Sequence, residues 1–95
     1  MTNFELGRVL ATRGIADLVS ACKVKLPTLE GVLRRHTRCD WGDLCDEDKQ
    51  LNDLGLKPGH EGRLFSSYKI DQQLKVWIIT ESDRSVTTML LPDEY

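Results

Sequence analysis

From residue 64 onward the hydrophobic period of this chain is two, and the linkers between its apolar runs are too short for anything but hairpins. Residues 64–70, 76–81 and 86–91 are rich in β-branched, aromatic and aliphatic side chains, the composition of strands. Asp71-Gln-Gln separates the first two runs and Ser82-Asp-Arg-Ser the last two. A parallel crossover needs about a dozen residues, so these strands are expected to form an antiparallel meander. In the middle run Val76 and Ile78 point to one face and Trp77 and Ile79 to the other. A strand apolar on both faces belongs in the centre of a sheet.

Upstream the period lengthens. Val9-Leu-Ala-Thr suits a short strand that stops near Gly14 and adds an edge to the sheet. Ile15, Leu18, Val19 and Cys22 then recur at helical spacing, which predicts a buried face with Cys22 as a core thiol. Pro27 marks the start of a second helix, whose inward stripe is Leu29, Val32, Leu33 and His36. Its last turn carries Arg34, Arg35, His36 and Arg38, cations that the helix dipole favours. Gly42 frees the backbone for a turn, Asp43 or Asp46 caps a third helix, and Leu44, Leu51 and Leu54 supply its inward stripe. Gly55, Pro58, Gly59 and Gly62 form the densest loop signal. The expected fold is α+β in a single domain over residues 1–95. A short N-terminal strand and two to three helices pack on a C-terminal three-stranded antiparallel meander.

Composition excludes several classes. The chain is 40% hydrophobic and 29% charged, a globular balance. Its longest apolar run covers 76–79, far short of a membrane span. The start, Met-Thr-Asn-Phe-Glu, lacks the basic and apolar regions of a leader. Three cysteines without secretory context suggest reduced thiols in a bacterial cytoplasm. The net charge of −2 is unevenly spread: residues 1–38 hold seven basic and three acidic side chains, residues 39–95 six and twelve. Asp40, Asp43, Asp46, Glu47, Asp48 and Asp53 stand against Lys49 alone. This segment reads either as a solvated helix complementing the basic half or as a patch that recruits a basic partner. An acidic total disfavours duplex DNA as the main ligand.

No motif carries a reaction. His36-x-x-Cys39 resembles half of a zinc site, but Cys45 alone is a poor second half, so neither metal nor cofactor is expected. Ser66, Ser67 and Cys45 lack a glycine elbow that would present them to His36 or His60 as nucleophiles. Gly59-x-x-Gly62 lacks the Lys-Ser/Thr of a phosphate loop. No catalytic residue is assigned. The candidate binding residues are Asp40, Trp41, Asp43, Arg63, Tyr68, Glu81, Asp83 and Arg84. Glu81, Asp83 and Arg84 at a hairpin tip could form a polar site with Arg63 or Tyr68, or simply be solvated. Trp41 is either a core anchor or an exposed aromatic in an interface. The leading expectation is a non-enzymatic module that binds another protein. One alternative is nucleic-acid binding through Arg34, Arg35 and Arg38; another is a small enzyme using His36 with Asp40 or Asp43. Nothing selects an oligomeric state.

Three stretches carry a family resemblance: Arg35-His-x-x-x-Asp-Trp-Gly-Asp-Leu, Arg63-x-x-Ser-x-Tyr68, and Trp77-Ile-Ile-Thr-Glu-x-Asp-Arg-Ser-x-Thr-Thr-x-Leu-Leu-Pro-x-Glu-Tyr95. With the Phe4-Glu-Leu-Gly-Arg-Val start, they resemble a family of small, uncharacterised, plasmid-related bacterial proteins over nearly the whole chain. The family pattern has glycine where this chain has Cys39 and proline where it has Arg13. The resemblance implies a mobile-element context and a small accessory role, and it implies no activity.

Overall fold

The computed structural model describes residues 4–95, so the three residues on which the leader argument partly rests lie outside it. The elements run β1 (Arg8–Ala11), α1 (Arg13–Ser20), α2 (Leu26–Thr37), α3 (Asp46–Gly55), β2 (Leu64–Lys69), β3 (Lys75–Thr80) and β4 (Val86–Leu90), closed by a 3-10 turn at Pro92–Glu94. The sheet order is β1-β4-β3-β2. The meander β2-β3-β4 is antiparallel with β3 central, as the short linkers require. β1 adds a fourth strand parallel to β4, so the sheet is mixed and not confined to the C-terminal half.

One face of the sheet is covered by helices; the other carries no helix among the described residues and leaves Phe65 and Trp77 half-buried, although Ile79 and Leu90 on it are closed over. Leu64, Ser66 and Tyr68 of β2 alternate inward, in register with Thr80, Ile78 and Val76 of β3. Thr87 and Met89 continue that face on β4. Ile15 of α1 and Leu29 and Val32 of α2 pack there, with Val24 from the connection between the two helices. Burying these side chains is worth roughly 1.5–3 kcal/mol each before chain entropy is charged against it.

Two expectations about the helices are corrected. Cys22 is exposed, because α1 stops at Ser20 and Cys22 turns to φ +60°. The turn is closed by Lys23 N–H donating to Leu18 O and Cys22 N–H to Val19 O, a helix end that normally uses glycine. Cys22→Gly is therefore expected to raise stability by about 0.5–1 kcal/mol, read as a higher denaturation midpoint. In α3, Leu51 and Leu54 face solvent, and the buried positions are Asn52 and Gly55. The reason is the edge of β2. Asn52 Nδ2 donates to Phe65 O at 2.5 Å and Phe65 N–H donates to Asn52 Oδ1 at 3.0 Å, so the carboxamide stands in for a neighbouring strand. Residues 41–43 continue the cover: Ser67 N–H donates to Trp41 O, and Asp43 N–H donates to Ser67 O. A helix that presents an amide to an open strand edge needs no leucine stripe there.

Candidate functional site

The sequence candidates fall into three places. Asp40 closes the end of α2, where its carboxylate accepts from Arg35 Nε at 2.7 Å. Arg35 also lies over the Tyr68 ring at 4.8 Å, and Tyr68 Oη donates to Asp40 O. Its hydrogen bond and charge hold the Asp40 carboxyl below the usual range, and burial pushes the Tyr68 phenol up. Tyr68 is therefore on the helix-covered side, away from the hairpin tip. Trp41 is in the core as well, 3% exposed, with its indole N–H on Asp53 Oδ1 at 3.1 Å. The exposed-aromatic reading of Trp41 is corrected. Within the basic cluster, Arg35 is engaged in this way, and Arg34 and Arg38 remain exposed.

The hairpin tip divides. Arg84 turns inward at φ +60°, its guanidinium donating to Gly62 O at 2.6 Å and Gly55 O at 2.8 Å. It thus neutralises the carbonyl end of α3 and ties it to the 81–84 turn. Asp83 accepts from the Ser85 hydroxyl and N–H within its own turn, which holds its pKa down. Glu81 leaves the turn towards β2 and pairs with Arg63 at 3.3 Å. The 40–43 and 81–84 segments are bridged by Phe4, whose ring stacks on Trp41 at 6.2 Å and lies 6.0 Å from the Arg84 guanidinium.

Behind Phe4 lies a buried polar chain. His36 is fully buried, its Nδ1 at 2.5 Å from Ser66 Oγ and its Nε2 at 2.9 Å from Thr80 Oγ1. Thr80 Oγ1 is 2.8 Å from Thr87 Oγ1, which donates to Leu6 O at 2.7 Å. A carbonyl can only accept, so the direction is forced: Thr87 donates to Leu6, Thr80 to Thr87, and His36 Nε2–H to Thr80. Nδ1 is then the acceptor for the Ser66 hydroxyl. Burial first, and the Arg84 charge second, push the His36 pKa down to about 4. His36, Ser66 and Thr80 are all fully buried, and the imidazole's hydrogen bonds among the described residues go to hydroxyls, an arrangement that ties α2 to β2 and β3. Asp40 and Asp43 have no hydrogen bond to it. Among the described residues no group of three His, Cys, Asp or Glu side chains is arranged to hold a metal ion.

What the sequence reading missed is the open face. Phe65 and Trp77 meet edge to face at 4.9 Å in its middle, and Tyr95 stands 5.9 Å from Trp77. On one side a hollow of about 320 Å³ is lined by Arg63, Phe65, Trp77, Ile79 and Tyr95. On the other, a hollow of about 540 Å³ runs from the same aromatic pair to Asp43, Leu44, Cys45 and Asp48. The two share Phe65 and Trp77, so they form one trough across β2 and β3. Its acid wall is the start of α3. Among the described residues the ion pairs are Arg35–Asp40 and Arg63–Glu81, so Asp43, Asp46, Glu47 and Asp48 are exposed and outside any ion pair, with Lys75 the one cation lining the same hollow. The available signal was Trp77 on the second face of a central strand: it stays half-buried there, while Ile79 beside it is closed over, and among the described residues no helix lies on that face. Set against protein-family models, curated proteins and solved structures, the chain finds no match.

Proposed function

We propose that the chain is a non-enzymatic module that binds an extended, basic segment of another protein across the open face of its sheet. The observation that carries this reading is the Phe65–Trp77 pair at the centre of a trough with unpaired acids along one wall. Aromatic side chains set in an apolar hollow are the usual anchors of an interface, and a charged rim steers and orients the partner. The partner would supply an apolar or aromatic anchor flanked by lysine or arginine. The plasmid-related family and its mobile-element setting belong to the same proposal and rest on the 35–44, 63–68 and 77–95 motifs. A reducing cytoplasm suits the exposed thiols of Cys22 and Cys45. Among the described residues no helix is long and apolar enough to cross a membrane.

Selection from a displayed random-peptide library tests the reading. Selected peptides should share an apolar anchor with adjacent basic residues, and should weaken about tenfold or more on Trp77→Ala and on the double change Asp43→Lys, Asp48→Lys. Binding should also fall with added salt. Selection of peptides with no basic residues, or binding untouched by Trp77→Ala, would sink the proposal. A single-stranded oligonucleotide bound at low salt and lost on Arg34→Glu, Arg38→Glu would turn the assignment to nucleic acid.

A further inference from the structure

The two edges of the sheet are treated differently. The β2 edge is shut by Asn52 and by residues 41–43, as described above. Among the described residues the β1 edge has no such cover. All four residues of Arg8–Ala11 are exposed, with Val9 at 43% and Leu10 at 42%, and the strand contains neither lysine nor proline. Such an edge offers unpaired N–H and C=O groups to another strand. Residues 4–7 do not close it: at Gly7 (φ +65°) the backbone turns inward, and Leu6 O and Phe4 contact the helix-covered side.

We propose that this edge pairs, antiparallel and about a twofold axis, with the β1 edge of a second copy of this chain. The hydrogen-bond pattern selects the register. Arg8 N–H donates to Ser85 O and Thr12 N–H to Met89 O, so the groups of Arg8, Leu10 and Thr12 point into the sheet. Those of Val9 and Ala11 point out. Placing Leu10 on the axis sets Val9 against Ala11 of the other copy twice, which makes four backbone hydrogen bonds. Centring on Val9 instead engages Gly7, which is not extended. Centring on Ala11 engages Arg13, which is helical. Leu10 is therefore the only centre that uses β1 and nothing else.

Charge supports the same register. Arg8 falls opposite Thr12 of the other copy, and the Thr12 hydroxyl donates to Glu94 Oε1 at 2.5 Å. Among the described residues Arg8 makes no ion pair, and Glu94 is exposed with its pKa lowered by that hydroxyl and by backbone N–H groups. Each copy thus brings a free cation to the other's carboxylate. The product is a continuous eight-stranded sheet with both aromatic troughs on one side. The interface is small, so dissociation on the order of 10–100 μM is expected.

Sedimentation velocity of the full chain, over a concentration series spanning that range, should show the mass doubling. Leu10→Lys and Leu10→Glu should each be monomeric at the top of the series, because like charges meet on the axis. An equimolar mixture of the two should dimerise again, a rescue that a merely destabilised fold cannot give. Val9→Pro removes an outward N–H and no bond to β4, and should also weaken association at least tenfold. A wild-type chain that stays monomeric throughout overturns the proposal. So does a dimer that keeps its affinity in Leu10→Lys and Val9→Pro.

Discussion

His36→Ala is expected to lower the stability of the fold by about 3–4 kcal/mol at neutral pH, a large share of what a domain this size possesses. The change opens a cavity among Phe4, Trp41 and the sheet, and leaves the Ser66 and Thr80 hydroxyls without their partner in a site closed to water. The same network makes stability depend on pH. The imidazole titrates near 6.5 in the unfolded chain and at about 4 in the fold. Between those values the unfolded chain binds a proton that the folded chain refuses, so stability rises with pH across the window. The stabilisation is fully present above pH 6.5 and is lost as pH falls towards 4, by about 3 kcal/mol in all. His36→Gln retains one acceptor for Ser66 and one donor for Thr80 but cannot titrate. Urea unfolding at pH 7 and pH 4.5 should show a steep loss for the wild type and a shallow one for His36→Gln. Asp40 and Glu94, whose pKa values are lowered in the fold, act on the acid side of this window. Equal losses in the two proteins would refute the assignment.

His36 also shows where sequence reading stops. Its place on the inward stripe of α2 follows from the spacing of Leu29, Val32, Leu33 and His36, and that much was legible. Arg34, Arg35 and Arg38 lie within two residues of it, so the same residue also fits a basic helix end. Only the three-dimensional register of Ser66, Thr80 and Thr87 on adjacent strands decides between these. The meander was legible because hairpin linkers are local and leave one topology. The pairing of β1 with β4 was not, because it joins residues near opposite ends of the chain and leaves no periodic trace. Asn52 was invisible for a related reason: a polar side chain buried to finish a strand edge does not add to a hydrophobic pattern. The site divided in the same way. Arg63 and Glu81 do meet, as neighbours on adjacent antiparallel strands should. Tyr68 cannot join them, since it lies an odd number of residues from Arg63 and points to the other face. Arg84 was read as a tip charge, but its positive φ sends the guanidinium back under the loop to the carbonyls of Gly55 and Gly62.

Gly42→Ala should cost about 3 kcal/mol or more, and it should do so through the backbone rather than through any lost contact. Gly42 sits at φ +74°, and a Cβ there would lie 1.9 Å from Ser67 O and 2.9 Å from Ser67 C. Neither atom can move without breaking the β2–β3 ladder, so residues 41–43 must leave the edge instead. That removes the bonds from Ser67 N–H to Trp41 O and from Asp43 N–H to Ser67 O, and loosens Trp41 from the core. Gly59→Ala supplies the comparison: its φ is +85°, but a Cβ there meets nothing within 4 Å. That change should cost only the conformational penalty, about 1 kcal/mol. The difference between the two denaturation midpoints therefore measures the steric part alone. Gly42→Ala should also aggregate on mild heating, because Ser67 then presents free backbone groups on an otherwise covered edge. Equal midpoints for the two variants would show that the 41–43 strap yields freely and is not what holds the β2 edge. The acid wall at Asp43 would then have no fixed place beside Phe65 and Trp77, and the trough would lose the feature that gives its partner a sign of charge.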